Sequence, residues 1–288
     1  MQPVVEFADT VQIIRQSLWV ETDFDSDRDG KLDRVHVQVT RPAAAEKAGL
    51  KIPILMLSSP YIGPTNGSAA DWDVHQELGA ASPLRMNPSF RAFSDSMPLK
   101  RGPTQWVSRG FAAVIVENSG TGLSTGCPTV SDSIENITPK FANDWLNGRA
   151  KGYTTIDGNV QVSAASWSNG KVGMFGTSYE GTMPLAAAVT GVQGLEAIIP
   201  MSPNTSQYRY YRSNGLVRSP RDILAKTFTR FTTSFTRAAC AKRATISGVT
   251  EFLRSKLIVK VVTLISSGPS AKLYMHQGGH GAVLQPTS

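Results

Sequence analysis

Apolar residues in this chain fall into short runs separated by glycine and proline turns, which is typical of buried strands. The run from Leu32 to Pro42 alternates apolar and polar residues and predicts a half-buried strand. Continuous apolar runs predict buried strands at 52–61, from Phe111 onward, in "KVGMFG" and in "LEAIIP". Helices are predicted between them at 103–110, over 156–167 and in "GTMPLAAAVTG". This alternation predicts an α/β fold with a mostly parallel sheet.

A serine lies at a sharp turn between one predicted strand and one predicted helix, in "SNGKVGMFGTSYEGTMPLAAA". Ser178 follows the strand, and Gly176 and Gly181 flank it, so the two elements can pack closely. A strand, a tight turn and a helix are the parts of a nucleophile elbow. In such a turn the backbone N–H of Tyr179 can donate to an oxyanion. The local pattern also allows a second interpretation, in which Ser178 only caps the helix.

The positive charge of the chain is concentrated in one segment. The formal net charge is +7, and residues 221–267 hold nine Lys or Arg against two Asp or Glu, again +7. Residues 1–220 have a net charge of −1, and Lys272 adds +1. The basic segment contains no Trp or Tyr and no known nucleic-acid module, so no nucleic-acid partner is predicted.

Three features of the sequence bear on where the protein acts. No apolar run is long enough for a membrane-spanning helix, which needs about 18 residues or more. The start, "MQPVVEFADT", lacks the charged and apolar regions of a signal peptide. The two cysteines, Cys127 and Cys240, are too few for a disulfide framework. No membrane association is predicted, and the compartment and oligomeric state stay open.

The elbow and several other blocks resemble the Xaa-Pro dipeptidyl-peptidase family, which includes cocaine-esterase-like acyl hydrolases. The pattern G-x-S-Y-x-G is met in "GTSYEG", and "SLWVETDFDSDRDGKLDRVHVQVTRP", "SSPY", "GFAAVIVENSGTGLSTG" and "NGLVRSP" follow the family's order. The resemblance covers most of residues 10–220. It implies an α/β-hydrolase fold, a Ser-Asp-His triad without a cofactor or metal, and release of N-terminal X-Pro dipeptides or cleavage of esters and amides.

The same resemblance assigns further residues to the site. The tyrosine of the "SPY" block is Tyr61, whose hydroxyl would complete the oxyanion hole with the Tyr179 N–H. The block "KLYMHQGGHG" implies that His280, rather than His276, is the catalytic base. Gln207 stands where the family usually has a Trp, which puts contacts to the substrate proline in doubt.

The triad acid is unknown. In an α/β-hydrolase it falls between the serine and the histidine along the chain. The acidic residues in that interval are Glu180, Glu196, Asp222 and Glu251. None of them stands in a block like the one that carries the acid in the family.

The resemblance stops at Pro220 and resumes at Lys272, which predicts three parts: a hydrolase core at 1–220, an anomalous segment at 221–267 and a remnant with the histidine block at 268–288. Codons for 222–236 can be chosen so that a frame shifted by one base reads "GHPCEDLYTFYDFIH", and 257–267 similarly reads "DRESGDFNQF". Both strings are family-like. The segment is therefore interpreted as out-of-frame translation beside a loss of the acid, the cap and a C-terminal β-sandwich. A genuine basic insert is the alternative.

An acidic turn precedes the first predicted strand. In "DFDSDRDGKLDR" the aspartates and a glycine occupy EF-hand spacings, but position twelve is His36 instead of a bidentate Glu. A solvated turn is therefore favoured over a calcium site. The positions concerned are Asp25, Asp27, Asp29, Gly30 and Asp33.

Taken together, the sequence predicts a serine hydrolase with Ser178 as nucleophile and His280 as base, acting on a peptide or a small acyl substrate. Because no acid is identified, a catalytically inactive remnant is the main alternative. An esterase or acylase of the same superfamily is another.

Overall fold

The computed structural model describes residues 12–62, 106–127, 129 and 131–206 in full. For residues 103–105, 212–213 and 216–217 it describes the backbone alone. Two predicted site features, His280 and the position of Gln207, lie outside the described residues, as does the whole segment 221–267. The description that follows therefore concerns the predicted hydrolase core.

Eight strands form one sheet at the centre of the described part of the chain. Their order across the sheet is β6-β5-β1-β2-β4-β3-β7-β8. A short hairpin, β9 (Arg212–Ser213) with β10 (Leu216–Val217), is separate. The strands of the large sheet are β1 (Ile13–Glu21), β2 (Arg34–Pro42), β3 (Ile52–Ser59), β4 (Ala112–Glu117), β5 (Gly152–Tyr153), β6 (Gln161–Val162), β7 (Ser168–Thr177) and β8 (Leu195–Met201).

The sheet is mixed, with a parallel half and an antiparallel half. Strands β4, β3, β7 and β8 run parallel, so the predicted parallel sheet is found in this half alone. Strands β2, β1, β5 and β6 are joined by antiparallel pairs, and the two halves meet where β2 pairs antiparallel with β4. Strands β1 and β2 are consecutive and antiparallel, so the loop at 22–33 that connects them needs no crossover helix.

Along the chain, helices alternate with some of the strands of the sheet. They are α1 (Ala43–Lys47), a 3₁₀ helix (Pro103–Arg109), α2 (Ser133–Leu146) and α3 (Tyr179–Val189). The helices predicted at 103–110 and after Ser178 are confirmed. None of the helices in the described ranges is long and apolar enough to span a membrane.

The helix predicted over 156–167 is wrong, and α2 was not predicted. Residues 156–167 form turns and the short strand β6, which pairs with β5. Trp167 is buried there against Trp145 of α2, with ring centroids 6.1 Å apart, so its apolar character serves a tertiary contact instead of a helix face. Helix α2 contains Pro139, and because proline disfavours a helix interior, the sequence pattern did not indicate this helix.

The hydrophobic core lies between the sheet and helices α2 and α3. Helix α2 packs on β1, β2, β7 and α3, and α3 packs on β3, β7 and β8. The carboxyl ends of β3, β4 and β7 therefore meet at one edge of the sheet, beside the first turn of α3. The largest fully buried apolar side chains are Trp145, Trp167, Leu18, Ile54, Met56, Met174 and Met183.

Candidate active site

Ser178 occupies a backbone conformation that L-residues rarely adopt. Its φ is 61° and its ψ is −122°, between the last residue of β7 and the first residue of α3. The surrounding backbone holds this conformation, because the Ser178 N–H donates to the carbonyl of Met201 at 2.9 Å. The Ser178 carbonyl in turn accepts from the N–H groups of Gly181 and Thr182 at 3.0 and 3.1 Å. A strained residue so firmly held is typical of a functional position.

The two glycines of the turn are required by close backbone contacts. A Cβ at Gly176 would lie 2.3 Å from the carbonyl oxygen of Glu180. A Cβ at Gly181 would lie 2.8 Å from the carbonyl oxygen of Met201 and 2.9 Å from that of Gly176. The strand, the helix and β8 therefore meet with no space for a methyl group, as the sequence predicts.

The alternative role of Ser178 as a helix cap finds no support in its contacts. Ser178 stands at the N-cap position of α3, but its side chain makes no capping hydrogen bond. The residue is half-buried, so the hydroxyl group is held at the sheet edge and is not consumed in closing the helix.

Tyr179 is anchored through its side chain to a buried carboxyl group. Its hydroxyl donates to Oε2 of Glu135 on α2 and accepts the Ser131 N–H at 2.8 Å. Glu135 also accepts the Ser131 N–H at 2.5 Å and the side-chain amide of Asn118 at 3.0 Å. Asn118 follows β4, and its Oδ1 accepts from the Ser58 hydroxyl at 2.8 Å. The residue that carries the predicted oxyanion donor is thus tied to β3, β4 and α2.

Burial controls the protonation of this network. Burial raises the pKa of Glu135 to about 7, even though the Tyr179 hydroxyl, Asn118 and Ser131 favour the ionised form by hydrogen bonding. Burial also raises the pKa of Tyr179 well above its ordinary value, with a further contribution from the charge of Glu135. The phenol therefore stays neutral, while Glu135 changes its protonation near neutral pH.

Tyr61 lies beside the elbow, just after the end of β3. Its ring contacts the Tyr179 ring edge-on, with centroids 6.0 Å apart, and 45 % of the residue is exposed. Its N–H donates to the Ser59 hydroxyl at 3.0 Å, and that hydroxyl donates to Glu180 at 2.6 Å. The structure thus brings Tyr61, Ser178 and Tyr179 together at one edge of the sheet.

The acid of a triad is not found among the described residues. Glu180 is engaged by Ser59, and Glu196 is exposed on β8. Asp222, Glu251 and the predicted base His280 lie outside the described ranges. The single histidine within those ranges, His36, belongs to β2 and contacts other partners.

Sequence reasoning missed Glu135 and Asn118. The signal for Glu135 was a capping box, because Asp132 accepts the Glu135 N–H at 2.9 Å and the pair has the spacing D-x-x-E. The Glu135 side chain reaches back to the N–H of Ser131. Nothing in the sequence pattern indicates that the same carboxyl group would also accept from a tyrosine 44 residues later.

The acidic turn before β2 is held by its own backbone. Carboxylate oxygens of Asp25, Asp27 and Asp29 lie within 4.8 Å of one another. Asp25 accepts the N–H of Gly30 at 3.0 Å, and Asp29 accepts the Lys31 N–H at 2.8 Å. At the other spacings of the calcium motif, Asp33 is bonded to Ser26, and His36 is directed to Ser17 and Glu117.

A family match decides where the chain belongs. The family described as X-Pro dipeptidyl-peptidase (S15 family) matches residues 29–247. The chain is a member of that family. The match includes the elbow and ends inside the basic segment, so the histidine block lies beyond it. Together with the sheet and the elbow, this membership confirms the predicted α/β-hydrolase fold.

Curated relatives support the same assignment. The chain is 52% identical over 229 residues to a protein of Rhodopirellula baltica named "Putative Xaa-Pro dipeptidyl-peptidase", covering 78% of this chain and 36% of that protein. It is 36% identical over 260 residues to the Xaa-Pro dipeptidyl-peptidase of Ligilactobacillus salivarius, covering 78% and 32%. The chain thus spans about a third of the length of these relatives.

Solved structures show weaker likeness. An α-amino acid ester hydrolase matches with a TM-score of 0.40 and 20% identity, over 70% of this chain and 27% of that one. A CocE/NonD family hydrolase of Staphylococcus aureus matches with a TM-score of 0.39 and 18% identity, over 73% and 34%.

Proposed function

We propose that the chain is a serine hydrolase that releases N-terminal X-Pro dipeptides through an acyl-enzyme on Ser178. The observation that carries the proposal is the strained backbone of Ser178, held between Gly176 and Gly181 at the carboxyl edge of the sheet. Strain of this kind lifts a hydroxyl group to where a substrate carbonyl can meet it. The names of the relatives supply the substrate class.

In the proposed mechanism, the Ser178 Oγ attacks the carbonyl carbon of the substrate proline. Its proton passes to His280, which then protonates the leaving amine. The developing oxyanion accepts hydrogen bonds from the Tyr179 N–H and the Tyr61 hydroxyl. Water hydrolyses the acyl-enzyme by the reverse sequence of proton transfers. The position of Tyr179 at the first residue of α3 adds the favourable end of the helix dipole.

A fluorophosphonate probe, with the labelled residue mapped by mass spectrometry, tests the nucleophile. The expected adduct is on Ser178, and Ser178→Ala should abolish it together with hydrolysis of X-Pro anilides. Ser163→Ala, an exposed serine in the loop before β7, is the matched control and should keep both. Labelling of the wild type without an adduct on Ser178 would exclude the proposed mechanism.

Tyr61→Phe tests the oxyanion hole. Removing one donor should lower kcat by about 10² to 10³ with little change in KM, because the hydrogen bond forms in the transition state. Labelling at Ser178 should persist at a reduced rate. Wild-type kcat in this variant would assign Tyr61 a packing role against Tyr179 instead.

A catalytically inactive member of the family is the second candidate. It is favoured because no triad acid is identified among the described residues after Ser178. There, Glu180 accepts a hydrogen bond from the Ser59 hydroxyl, and Glu196 is exposed on β8. Without an acid to orient its base, a serine protease loses about 10⁴ in rate. Hydrolysis of X-Pro anilides at background level, with normal folding, would support this candidate. Cleavage of simple esters alone would support an esterase or acylase.

A further inference from the structure

A row of hydroxyl, imidazole and carboxylate groups, separate from the elbow, extends across β1, β2 and β4. The Ser17 Oγ on β1 lies 2.5 Å from the Nε2 of His36 on β2. The His36 Nδ1 lies 3.2 Å from the Oε2 of Glu117, the last residue of β4. The three groups occur in the order that activates a serine nucleophile.

The strand register fixes this row. Trp19 pairs directly with His36, so Ser17 stands diagonally beside His36 on the same face of the sheet. The pair of Val37 with Val116 brings His36 level with Glu117. The alignment therefore follows from backbone pairing of three strands and does not depend on a mobile loop.

The row is buried at one end and open at the other. The side chains of His36 and Glu117 are fully buried, whereas Ser17 is exposed. The Trp19 ring packs on the imidazole, with centroids 5.0 Å apart. Behind it, the N–H of Leu123 donates to Glu117 Oε2 at 2.6 Å, so the loop after β4 closes over the carboxylate. Only the serine can be reached by a reagent in solution.

The tautomer of His36 that suits this row carries its ring proton on Nδ1. That atom faces the Oε2 of Glu117 at 3.2 Å, an ion-pair distance without hydrogen-bond geometry. The other ring nitrogen, Nε2, is then the acceptor for the Ser17 hydroxyl, 2.5 Å away. In this tautomer His36 can act as a general base toward Ser17.

We propose that Ser17 is a modification site that captures activated phosphonyl or acyl groups. With a fluorophosphonate, the Ser17 Oγ forms a bond to phosphorus, the P–F bond breaks and fluoride leaves. The hydroxyl proton passes to His36 Nε2, Glu117 stabilises the resulting imidazolium, and the proton is then lost to water. Ser17 lies in a regular strand, not at a helix N-terminus as Ser178 does, so the adduct accumulates instead of turning over. This proposal does not depend on the activity of Ser178.

Diisopropyl fluorophosphate on the Ser178→Ala chain provides the test. Cleavage by trypsin after Arg15 and Arg28 yields a peptide with both Ser17 and Ser26. Ser26 is the internal control, because its hydroxyl donates to the Asp33 carboxylate at 2.5 Å. General-base assistance is worth about 10² or more, so the adduct should lie on Ser17 at least about tenfold over Ser26. An unlabelled Ser17, or equal labelling of the two serines, overturns the proposal.

Two further measurements separate activation from simple exposure. In concentrated urea the labelling of Ser17 should fall to that of Ser26, since the row exists only in the folded protein. His36→Gln should slow labelling by about a hundredfold, provided that circular dichroism shows it folded. Ser17 labelling that is as fast in urea as in buffer contradicts the proposal without any variant.

Discussion

At the scale of single residues, the site is held by contacts that a linear sequence does not display. The turn itself could be predicted, because an apolar run, a serine flanked by glycines and a helix-like run follow one another in the sequence. The support of Tyr179 could not, since Glu135 and Asn118 come from different elements and meet the phenol only through the fold. A buried carboxyl group beside the proposed oxyanion donor also makes stability depend on pH.

Glu135→Gln tests that dependence. The folded pKa of Glu135, about 7, lies above its ordinary value of 4.5, so the folded state binds this proton more tightly than the unfolded state. Stability should therefore be greatest below pH 4.5 as far as this group is concerned and decrease as pH rises toward 7, by about 3 kcal/mol in all.

Urea unfolding at pH 5, 6, 7 and 8 measures this slope. Glu135→Gln should flatten it, because the amide does not ionise. Glu196→Gln, on the exposed face of β8, is the matched control and should keep the wild-type slope. The same slope in wild type and Glu135→Gln would show that another group is responsible.

Gly181→Ala tests how tightly the backbone of the elbow packs against β7 and β8. The added methyl group would meet the carbonyl oxygens of Met201 and Gly176, and overpacking of this kind costs about 1–3 kcal/mol. Fluorophosphonate labelling of Ser178 should be lost as the turn opens. Gly191→Ala is the comparison, since its φ of +66° imposes strain but its Cβ meets nothing within 4 Å. Retained labelling in Gly181→Ala would mean that the elbow tolerates a side chain.

At the scale of elements, apolar pattern predicted the strands better than the helices. The runs that became β2, β3, β4, β7 and β8 are continuous or strictly alternating, so their type is clear. Strand β1 was not predicted, because "IIRQSLWVE" places polar residues at positions that the pairing with β2 and β5 accommodates. Helix α2 was missed although its capping box is legible, since Pro139 interrupts the expected helical pattern.

Asp132→Ala tests whether the start of α2 supports the site. Asp132 accepts the Glu135 N–H at 2.9 Å and the Thr129 hydroxyl at 2.6 Å, and loss of an N-cap costs about 1 kcal/mol. Because this first turn carries Glu135, the thermal midpoint and the rate of Ser178 labelling should both fall. Asp157→Ala, in an exposed turn, should change neither. A lower midpoint with unchanged labelling would separate α2 from the site.

At the scale of the whole molecule, charge and composition set one segment of the chain apart. The family match runs from 29 to 247 and therefore enters the basic segment before it ends. The boundary at 220 and the out-of-frame origin of 221–267 remain sequence-based proposals. The boundary rests on the end of the family resemblance at Pro220 and on a net charge of +7 confined to 47 residues, nine Lys or Arg against two Asp or Glu. The out-of-frame origin rests on the two family-like strings in the shifted frame.

The nucleotide sequence across codons 218–274 tests the out-of-frame origin. Translation of the frame shifted by one base should give strings close to "GHPCEDLYTFYDFIH" and "DRESGDFNQF". The frame that encodes residues 30–200 is the control, and its shifted translation should contain no family-like block. An unrelated translation of the basic segment in the shifted frame would identify the segment as a genuine insert.

The junction between the two halves of the sheet has a consequence for the order of folding. β1 and β2 are neighbours in sequence, whereas β3 pairs with β7 across more than a hundred residues, as in Ile54 with Val172. Local pairs close small loops and form first, while distant parallel pairs must wait for long loops to close. The Ser17 row is completed once β4 joins the early hairpin. The Ser178 turn depends on Met201 of β8, which is near in sequence, so the pair of β7 and β8 that holds this turn can form before β7 joins β3.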